Sequence, residues 1–380
     1  LTARICHLST VHPITDVRVF HRECLSLAEA GYDVHLVIPC DQEGKVRGVT
    51  VHPLPRMPHR LSRMTVLPWL ALVRALRVKA ALYHYHDPEL ILIGFLLRWV
   101  FRKRVVFDIH ESVPRQVMSK HWLPPRFRPW IARLYKIIED IFIRGQTIVL
   151  ASQHSIRDYP RSAYLVRNFP RVSKQGADAI EQPPERRRPL LIYVGAVSLN
   201  RGADILVDLG LRLLQRGHDL DLWIVGNDVD GCSVALQNRI AQAGREDHVR
   251  FLGHRPHEEA MRLVAQARLG LCLLKPVPNY TASLATKILE YMMVGTPVLA
   301  SDFSCWRPFV QGTGAGRMVD PEDRDQVVNV CEAMLSDPEG LTQMGHAGRR
   351  AVLERFNWDS EFDVLHRCYR TLLNEEEPPA

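Results

Sequence analysis

The 380-residue chain lacks any apolar run of the ~18–20 residues that a membrane-spanning helix needs. Its longest candidate, Leu90 to Phe101, is broken by Gly94 and Arg98. The eight cysteines are scattered from Cys6 to Cys368 and contain no C-x-x-C pair. Neither zinc nor disulfides are supported, and a reduced, cytoplasmic protein is expected. No G-x-x-x-x-G-K-[ST] and no G-x-S-x-G occurs, which removes the P-loop and the nucleophile elbow. No leader pattern opens the chain: LTARICHLST reads straight into a strand, and the missing initiator Met suits a processed or engineered start. Hydrophobic residues at 46% and charged residues at 24% are ordinary for a globular protein and exclude a disordered chain.

Acidic residues are scarce in the first half. Residues 1–190 hold 30 Lys+Arg against 16 Asp+Glu, a net of +14; the remainder of the total +7 leaves −7 for the second half. Arg56 to Lys79 and Ser112 to Ile138 each carry six basic residues and no acid. The second stretch interleaves them with Trp122, Leu123, Phe127, Trp130, Ile131 and Leu134. Basic residues among Trp, Phe and Leu suit an anionic membrane surface, or a solvated basic face over an ordinary helix. No nucleic-acid motif accompanies them, so nucleic acid is not expected as a partner.

Apolar strand-like runs alternate with helical patterns throughout. They recur at Arg4–Leu8, Val34–Pro39, Val49–Pro53, Ala81–His86, Arg104–His110, Thr147–Ser152 and Tyr164–Asn168, then again from Leu190–Val197 to Arg317–Val319. Asp16 to Ala30 reads as a helix stopped by Gly31, and Asp87-Pro88 as a helix opening with Asp as N-cap. This is the rhythm of parallel sheets covered by helices. Between the halves, PRVSKQGADAIEQPPERRRP is polar and Pro-rich, as a linker would be. The expected architecture is α/β: two doubly wound, Rossmann-like domains, 1–175 and 176–357, then a C-terminal helix and frayed tail, 358–380, that packs back toward the first domain. Such domains bind ligands at the carboxyl ends of their strands, in the cleft between them, so post-strand residues count most.

Three tempting motifs fall away. Gly312-Thr-Gly314-Ala-Gly316 precedes a strand instead of following one, so it reads as a turn. Asp228-Val-Asp230 has the form of a metal-binding D-x-D but reads better as a solvated post-strand loop. His86-Asp87 ends a strand, unlike the all-helical metal phosphohydrolases. What remains are polar clusters after strands. A helix starting near Ser283 would offer free N–H groups and a positive dipole end to phosphate. Lys287 and Arg201 from two loops would clamp a diphosphate. Glu290, three residues after Lys287 on the same face, would accept two hydrogen bonds from a ribose diol. Phosphate plus diol describes a nucleotide sugar; the same spacing also suits a plain surface ion pair.

On these residues the chain resembles a family 4 glycosyltransferase of the GT-B fold, in the branch that builds bacterial surface polysaccharides. The resemblance runs from Ile5 to about Tyr369. It rests on H-P-x-x-D-x-R-V-F-H-R-E at His12 to Glu23, Y-H-x-H-D at Tyr83 to Asp87, F-D-I-H-E at Phe107 to Glu111, R-N-F-P at Arg167 to Pro170, Y-V-G at Tyr193 to Gly195 and T-K-I-L-E-Y-M at Thr286 to Met292. The resemblance implies that Arg201 and Lys287 hold the donor diphosphate and that Glu290 holds the ribose. It puts His110 at the reacting centre, Asn279, Tyr280, Ser283 and Leu284 around the donor sugar, and Gly195, Gly226 and His254 beside the nucleotide. Asp16, Arg18, His86 and Glu111 fall on the acceptor side. Two positions depart from the family: Ala282 replaces the first of two glutamates, and Ala196 replaces an arginine, a loss that Arg201 or Arg317 would make up.

The resemblance further implies retention at the anomeric carbon. No carboxylate nucleophile is placed on the reacting face, so a front-face displacement is expected, with Arg201, Lys287 and the helix start replacing a metal ion. The donor is then a nucleotide diphosphate sugar, with no cofactor and no metal. The acceptor is a saccharide, lipid-linked at the inner face of the cell membrane. The alternatives are a nucleotide-sugar 2-epimerase of the same architecture and a non-catalytic binding or scaffold subunit.

Overall fold

In the computed structural model, residues 2–110, 112–119, 123–159, 163–172 and 187–374 are described. Most of the expected linker, and Glu111, Lys120, Trp122 and the extreme tail, lie outside them. The chain forms two units: one of Leu1–Asn168 with Trp358–Ala380, the other of Phe169–Asn357. The units part seven residues before the boundary placed at 175 from the sequence.

The first unit is built on eight strands: β1 (Arg4–Leu8), β2 (Asp33–Pro39), β3 (Gly44–Val46), β4 (Val49–Leu54), β5 (Leu82–Tyr85), β6 (Arg104–Ile109), β7 (Thr147–Leu150) and β8 (Tyr164–Leu165). Their order is β3-β4-β2-β1-β5-β6-β7-β8. All pairs are parallel except the β3–β4 hairpin. Chain order reverses between β1 and β5, which is the switch point of a doubly wound sheet.

Alternation along the strands divides their side chains between two faces. Cys6, Leu8, Tyr83, Tyr85, Phe107 and Ile109 pack in one buried cluster. Ile5, Leu82 and Val106 pack in the other, with Trp358, Leu365 and Tyr369 of the C-terminal helix Trp358–Leu373. The same period puts His7, His84, His86 and Asp108 on that second face. The face is apolar near the amino ends of the strands and polar near their carboxyl ends.

The segment after β1 departs from the expected helix. Val17–Cys24 winds as a π-helix and only Leu25–Glu29 as an α-helix. Asp16 caps it by accepting from the N–H groups of Arg18 and Val19 at 2.9 and 2.8 Å. The wider turn sends Arg18, Arg22 and Glu23 inward, and all three are buried. A second departure is at Asp87. It precedes a 3₁₀ turn, Pro88–Leu90, and the helix Ile91–Trp99, but its side chain caps neither. Instead it accepts from the Ser9 hydroxyl at 2.8 Å and the Thr10 N–H at 2.6 Å, tying β5 to the loop after β1.

The second unit holds six parallel strands: β9 (Arg188–Val194), β10 (Asp221–Val225), β11 (Val249–Gly253), β12 (Ala267–Cys272), β13 (Val298–Ser301) and β14 (Gly316–Val319). Their order, β11-β10-β9-β12-β13-β14, is the 3-2-1-4-5-6 of the dinucleotide-binding fold, with its switch point between β9 and β12. Both faces are covered, so the strands are apolar almost throughout. All eight cysteines are free thiols.

Candidate active site

In the second unit three adjacent strands end in glycine. Gly195 donates to the Val225 carbonyl and Gly226 to the Gly253 carbonyl, both at 2.8 Å. Gly195 and Gly226 have φ of 138° and 149°. A Cβ on Gly226 would meet the Gly195 oxygen at 1.9 Å, so only glycine fits this close backbone approach.

Above this floor lies the side chain of Lys287, in the helix Thr286–Met293. Lys287 is only 7% exposed, and its ammonium sits 3.7 Å from the Tyr193 ring centroid. The Tyr193 hydroxyl is engaged with the Ala196 carbonyl at 2.7 Å, which fixes the ring. Nζ has no hydrogen-bond partner. A buried ammonium with three unmet donors and only an aromatic face for company is costly on its own. A Cβ at Gly195 would come within 2.7 Å of Nζ, so the glycine also keeps space open beside the charge.

Arg201 follows β9, with its guanidinium 5.5 Å from the Tyr280 ring centroid. Burial pushes the Cys272 thiol, at the end of β12, up to about 12, and the charges of Lys287 and Arg201 both act against that. The two cations thus converge on the switch point.

The helix does not begin at Ser283. A short helical turn, Pro278–Thr281, carries Asn279 and Tyr280, and the next helix starts at Thr286 with no side-chain cap. Ser283 instead turns its hydroxyl onto the Asn279 carbonyl at 2.7 Å, while its own carbonyl accepts from the indole of buried Trp306 at 2.7 Å. These bonds fix the loop through Leu284. Lys287 stands in the first turn of that helix, beside its uncapped N–H groups. Glu290 is half-buried on that helix, and His254 is exposed after Gly253. Arg317 is exposed within the edge strand β14, two strands from β12, so it does not replace the arginine missing at Ala196. Asp228 and Asp230 close a turn: Asp228 accepts from the Gly231 and Ser233 N–H groups at 2.9 Å each.

In the first unit the polar face of the switch point is filled by its own side chains. Asp108 receives a forked pair from Arg18, at 2.7 and 2.8 Å. Its Oδ2 also lies 3.1 Å from His86 Nδ1 and 2.8 Å from His110 Nε2. Burial opposes ionisation of Asp108, but Arg18 and the two histidines outweigh it and hold the carboxyl well below the aspartate range. Glu23 goes the other way: burial and the neighbouring Asp108 charge push it well above the glutamate range. Arg18 and His86 were expected to line an acceptor surface, and that expectation is corrected: both are buried, and Arg18 is consumed by Asp108, Glu23 and the Val166 carbonyl.

The accessible rim is made of His12, Asp16 and His110, whose side chains are about a fifth exposed. The rings of His12 and His110 lie 4.9 Å apart. His12 holds Asp16 at 2.9 Å through Nδ1 and faces Asp87 at 3.4 Å through Nε2. Burial disfavours its charged form, but those carboxylates prevail and its pKa is raised. Bonded through Nε2 to Asp108, His110 keeps Nδ1 for a ligand. Sequence reasoning missed His12, Asp108 and Tyr193 as members of these sites. Their positions at or beside strand ends were visible, but their partners across the sheet were not.

Residues 17–170 match the family described as Glycosyl transferase 4-like domain, and residues 177–351 match Glycosyl transferases group 1. An MMP α-(1→4)-mannosyltransferase from Mycolicibacterium hassiacum is 30% identical over 72% of this chain and 67% of its own length. The chain belongs to the family 4 type glycosyltransferases of the GT-B fold. The α-D-kanosaminyltransferase of Streptomyces kanamyceticus is 24% identical over 49% of this chain and 46% of its own. The chain spans less than half the length of the curated relatives it matches first. Among solved structures, HepE from Anabaena in complex with UDP superposes with a TM-score of 0.71 at 14% identity, covering 98% of this chain and 100% of that one.

Proposed function

We propose that this family member transfers a sugar from a nucleotide diphosphate sugar to a saccharide acceptor. The observation that carries the proposal is the buried, unpartnered ammonium of Lys287 over the glycine floor of the second unit. An anion is what completes it: a donor diphosphate would take Nζ, the guanidinium of Arg201 and the open helix start. Glu290 would hold the ribose, and Asn279 to Leu284 the sugar. The UDP bound by HepE supports a nucleotide diphosphate as the ligand class.

In the first unit the Nδ1 of His110 is free to meet a sugar or acceptor hydroxyl, with its ring held by Asp108. The transfer is read as retaining and metal-independent: the two cations stabilise the departing diphosphate, which itself helps to deprotonate the acceptor.

The acceptor is read as lipid-linked, at the cytoplasmic face of a bacterial membrane during surface-polysaccharide assembly. Among the described residues no helix is long and apolar enough to cross a membrane. The helix Arg128–Phe142 exposes Trp130 (73%), Ile131, Leu134, Ile137, Ile138 and Ile141, one continuous helical stripe. Exposed Arg126, Arg133 and Arg144 accompany it. This combination suits shallow insertion at an anionic interface.

The test is a panel of UDP-, GDP-, ADP- and TDP-sugars read by thermal shift and slow nucleotide release, with and without EDTA. One donor should stabilise the chain, by ~2.7 kcal/mol at a hundredfold excess over Kd. That shift should vanish in Lys287→Ala and Glu290→Ala, and release should persist in EDTA. A stabilising donor without turnover in the presence of membranes and acceptor lipid would favour the scaffold reading; strict dependence on added Mn²⁺ would sink metal independence. Equal binding to neutral and anionic vesicles at all salt concentrations would remove the membrane claim.

A further inference from the structure

Behind the rim of the first unit lies a group that the proposed transfer does not use. His7 of β1, His84 of β5, His86 just beyond it and Glu23 of the π-helix turn inward together, and none of the four side chains has any exposure. Glu23 Oε2 lies 4.0 Å from His7 Nδ1, 3.7 Å from His84 Nδ1 and 3.9 Å from His86 Nε2. His7 Nδ1 and His86 Nε2 are 2.9 Å apart. Four ligands at ~2.0–2.1 Å from a tetrahedral zinc ion stand about 3.4 Å from one another. The observed spacings straddle that value, and shifts of about half an ångström would equalise them.

The second observation is independent of these distances. Neither carboxylate oxygen of Glu23 accepts a hydrogen bond: Oε1 faces the Arg18 Nε at 3.1 Å, while Oε2 has only imidazole nitrogens about it, at 3.7 to 4.0 Å. An acceptor left unmet in a sealed interior is the condition a cation relieves. The outer contacts also have the form that metal sites use. His86 Nδ1 is held by Asp108 at 3.1 Å, and His7 Nε2 meets the Tyr369 hydroxyl at 3.2 Å. The metal would then take His86 Nε2 and His7 Nδ1, replacing the 2.9 Å hydrogen bond that now joins them. That hydroxyl also lies 2.6 Å from His84 Nδ1, so it would yield this nitrogen and keep His7. Glu23 and Asp108 face one guanidinium, Arg18, whose Nε is 3.1 Å from Glu23 and 2.7 Å from Asp108. With both carboxylates ionised, one negative charge stays uncompensated.

We propose that His7, Glu23, His84 and His86 form a closed structural site for one zinc ion. Three imidazoles and a carboxylate are a donor set that zinc favours, and the absence of an exposed ligand position fits a structural site, not a catalytic one. The ion would pin β1, β5 and the π-helix beneath Asp108, and so fix the floor that orients His110. Because the site is sealed, it loads as the unit folds.

The test uses the full chain without a polyhistidine tag. Elemental analysis should find one zinc per chain, retained through dialysis against EDTA. Unfolding, stripping and refolding with Co²⁺ should give the strong visible bands of a tetrahedral ion. Those bands should be lost in the isosteric Glu23→Gln and kept in His110→Ala, which disrupts only the neighbouring group His86, Asp108 and His110. A folded wild-type chain without stoichiometric zinc, refolding equally well with and without Zn²⁺, would overturn the proposal and leave a proton on Glu23 as the relief. Bands kept in Glu23→Gln but lost in His110→Ala would overturn it too, by moving the ion to that neighbouring group.

Discussion

The two units are both doubly wound about a switch point and treat that point in opposite ways. In the second, glycines clear the floor and a buried ammonium is left without a hydrogen-bond partner. In the first, the equivalent place is packed with ionisable side chains that bind each other, from Arg18 and Asp108 to His86 and Tyr369. Most polar groups there are positioned for one another, and among the described residues of this cluster His12, Asp16 and His110 reach the surface. A ligand site can therefore be made by withholding a partner or by mounting a few groups on a base of side chains that largely bind one another. The two strategies leave opposite stability signatures.

Asp108→Asn should show the largest effect. It takes from buried Arg18 its forked carboxylate partner, and breaking such a pair costs ~3–5 kcal/mol, readable as a shifted denaturation midpoint. Lys287→Met should do the reverse: it removes an unmet charge, and the ligand-free chain should gain ~1–3 kcal/mol while donor binding is lost. Equal destabilisation by both variants would erase the contrast. His110→Ala should reduce turnover ~10²–10⁴-fold while the donor-induced thermal shift survives, separating the roles of the two units.

The smallest effect concerns Asp204 of the second unit. Burial opposes its ionisation, but hydrogen bonds from Arg324 and Lys275 outweigh that and lower its pKa. A depressed carboxyl contributes stability above its unfolded pKa and loses it as pH falls through the folded one. The gap in unfolding free energy between wild type and Asp204→Asn should therefore be full at neutral pH and shrink on acidification. A gap that grows in acid would contradict the assignment.

Much of this was legible in the chain itself. Apolar runs bounded by Gly, Pro and polar clusters marked the strands, because burial on both faces demands them. That Lys287 and Glu290 share one helix could be read because a three-residue spacing is local, whereas the glycines came with the family resemblance. Arg18 could not. It stands two residues after Asp16 in a polar stretch, and only the π-helical winding turns it to Asp108, ninety positions on. Asp87 looked like a cap because Pro88 follows, yet four donors from the loop after β1 outcompete the helix. Ser283 reads as a helix start by composition, but the Trp306 indole holds it in a turn. Each miss involves a partner distant in sequence, which periodicity does not encode.

The helix Trp358–Leu373 belongs to the first unit, although the whole second unit is translated before it. On the ribosome, residues 1–168 must wait with the face of Ile5, Leu82 and His84 uncovered until Trp358 and Tyr369 emerge. The second unit is contiguous and can complete itself earlier, reversing the usual amino-to-carboxyl order of domain folding. The half that is made first is thus the half completed last, and a ribosome stalled before residue 358 would release one finished domain and one unfinished one.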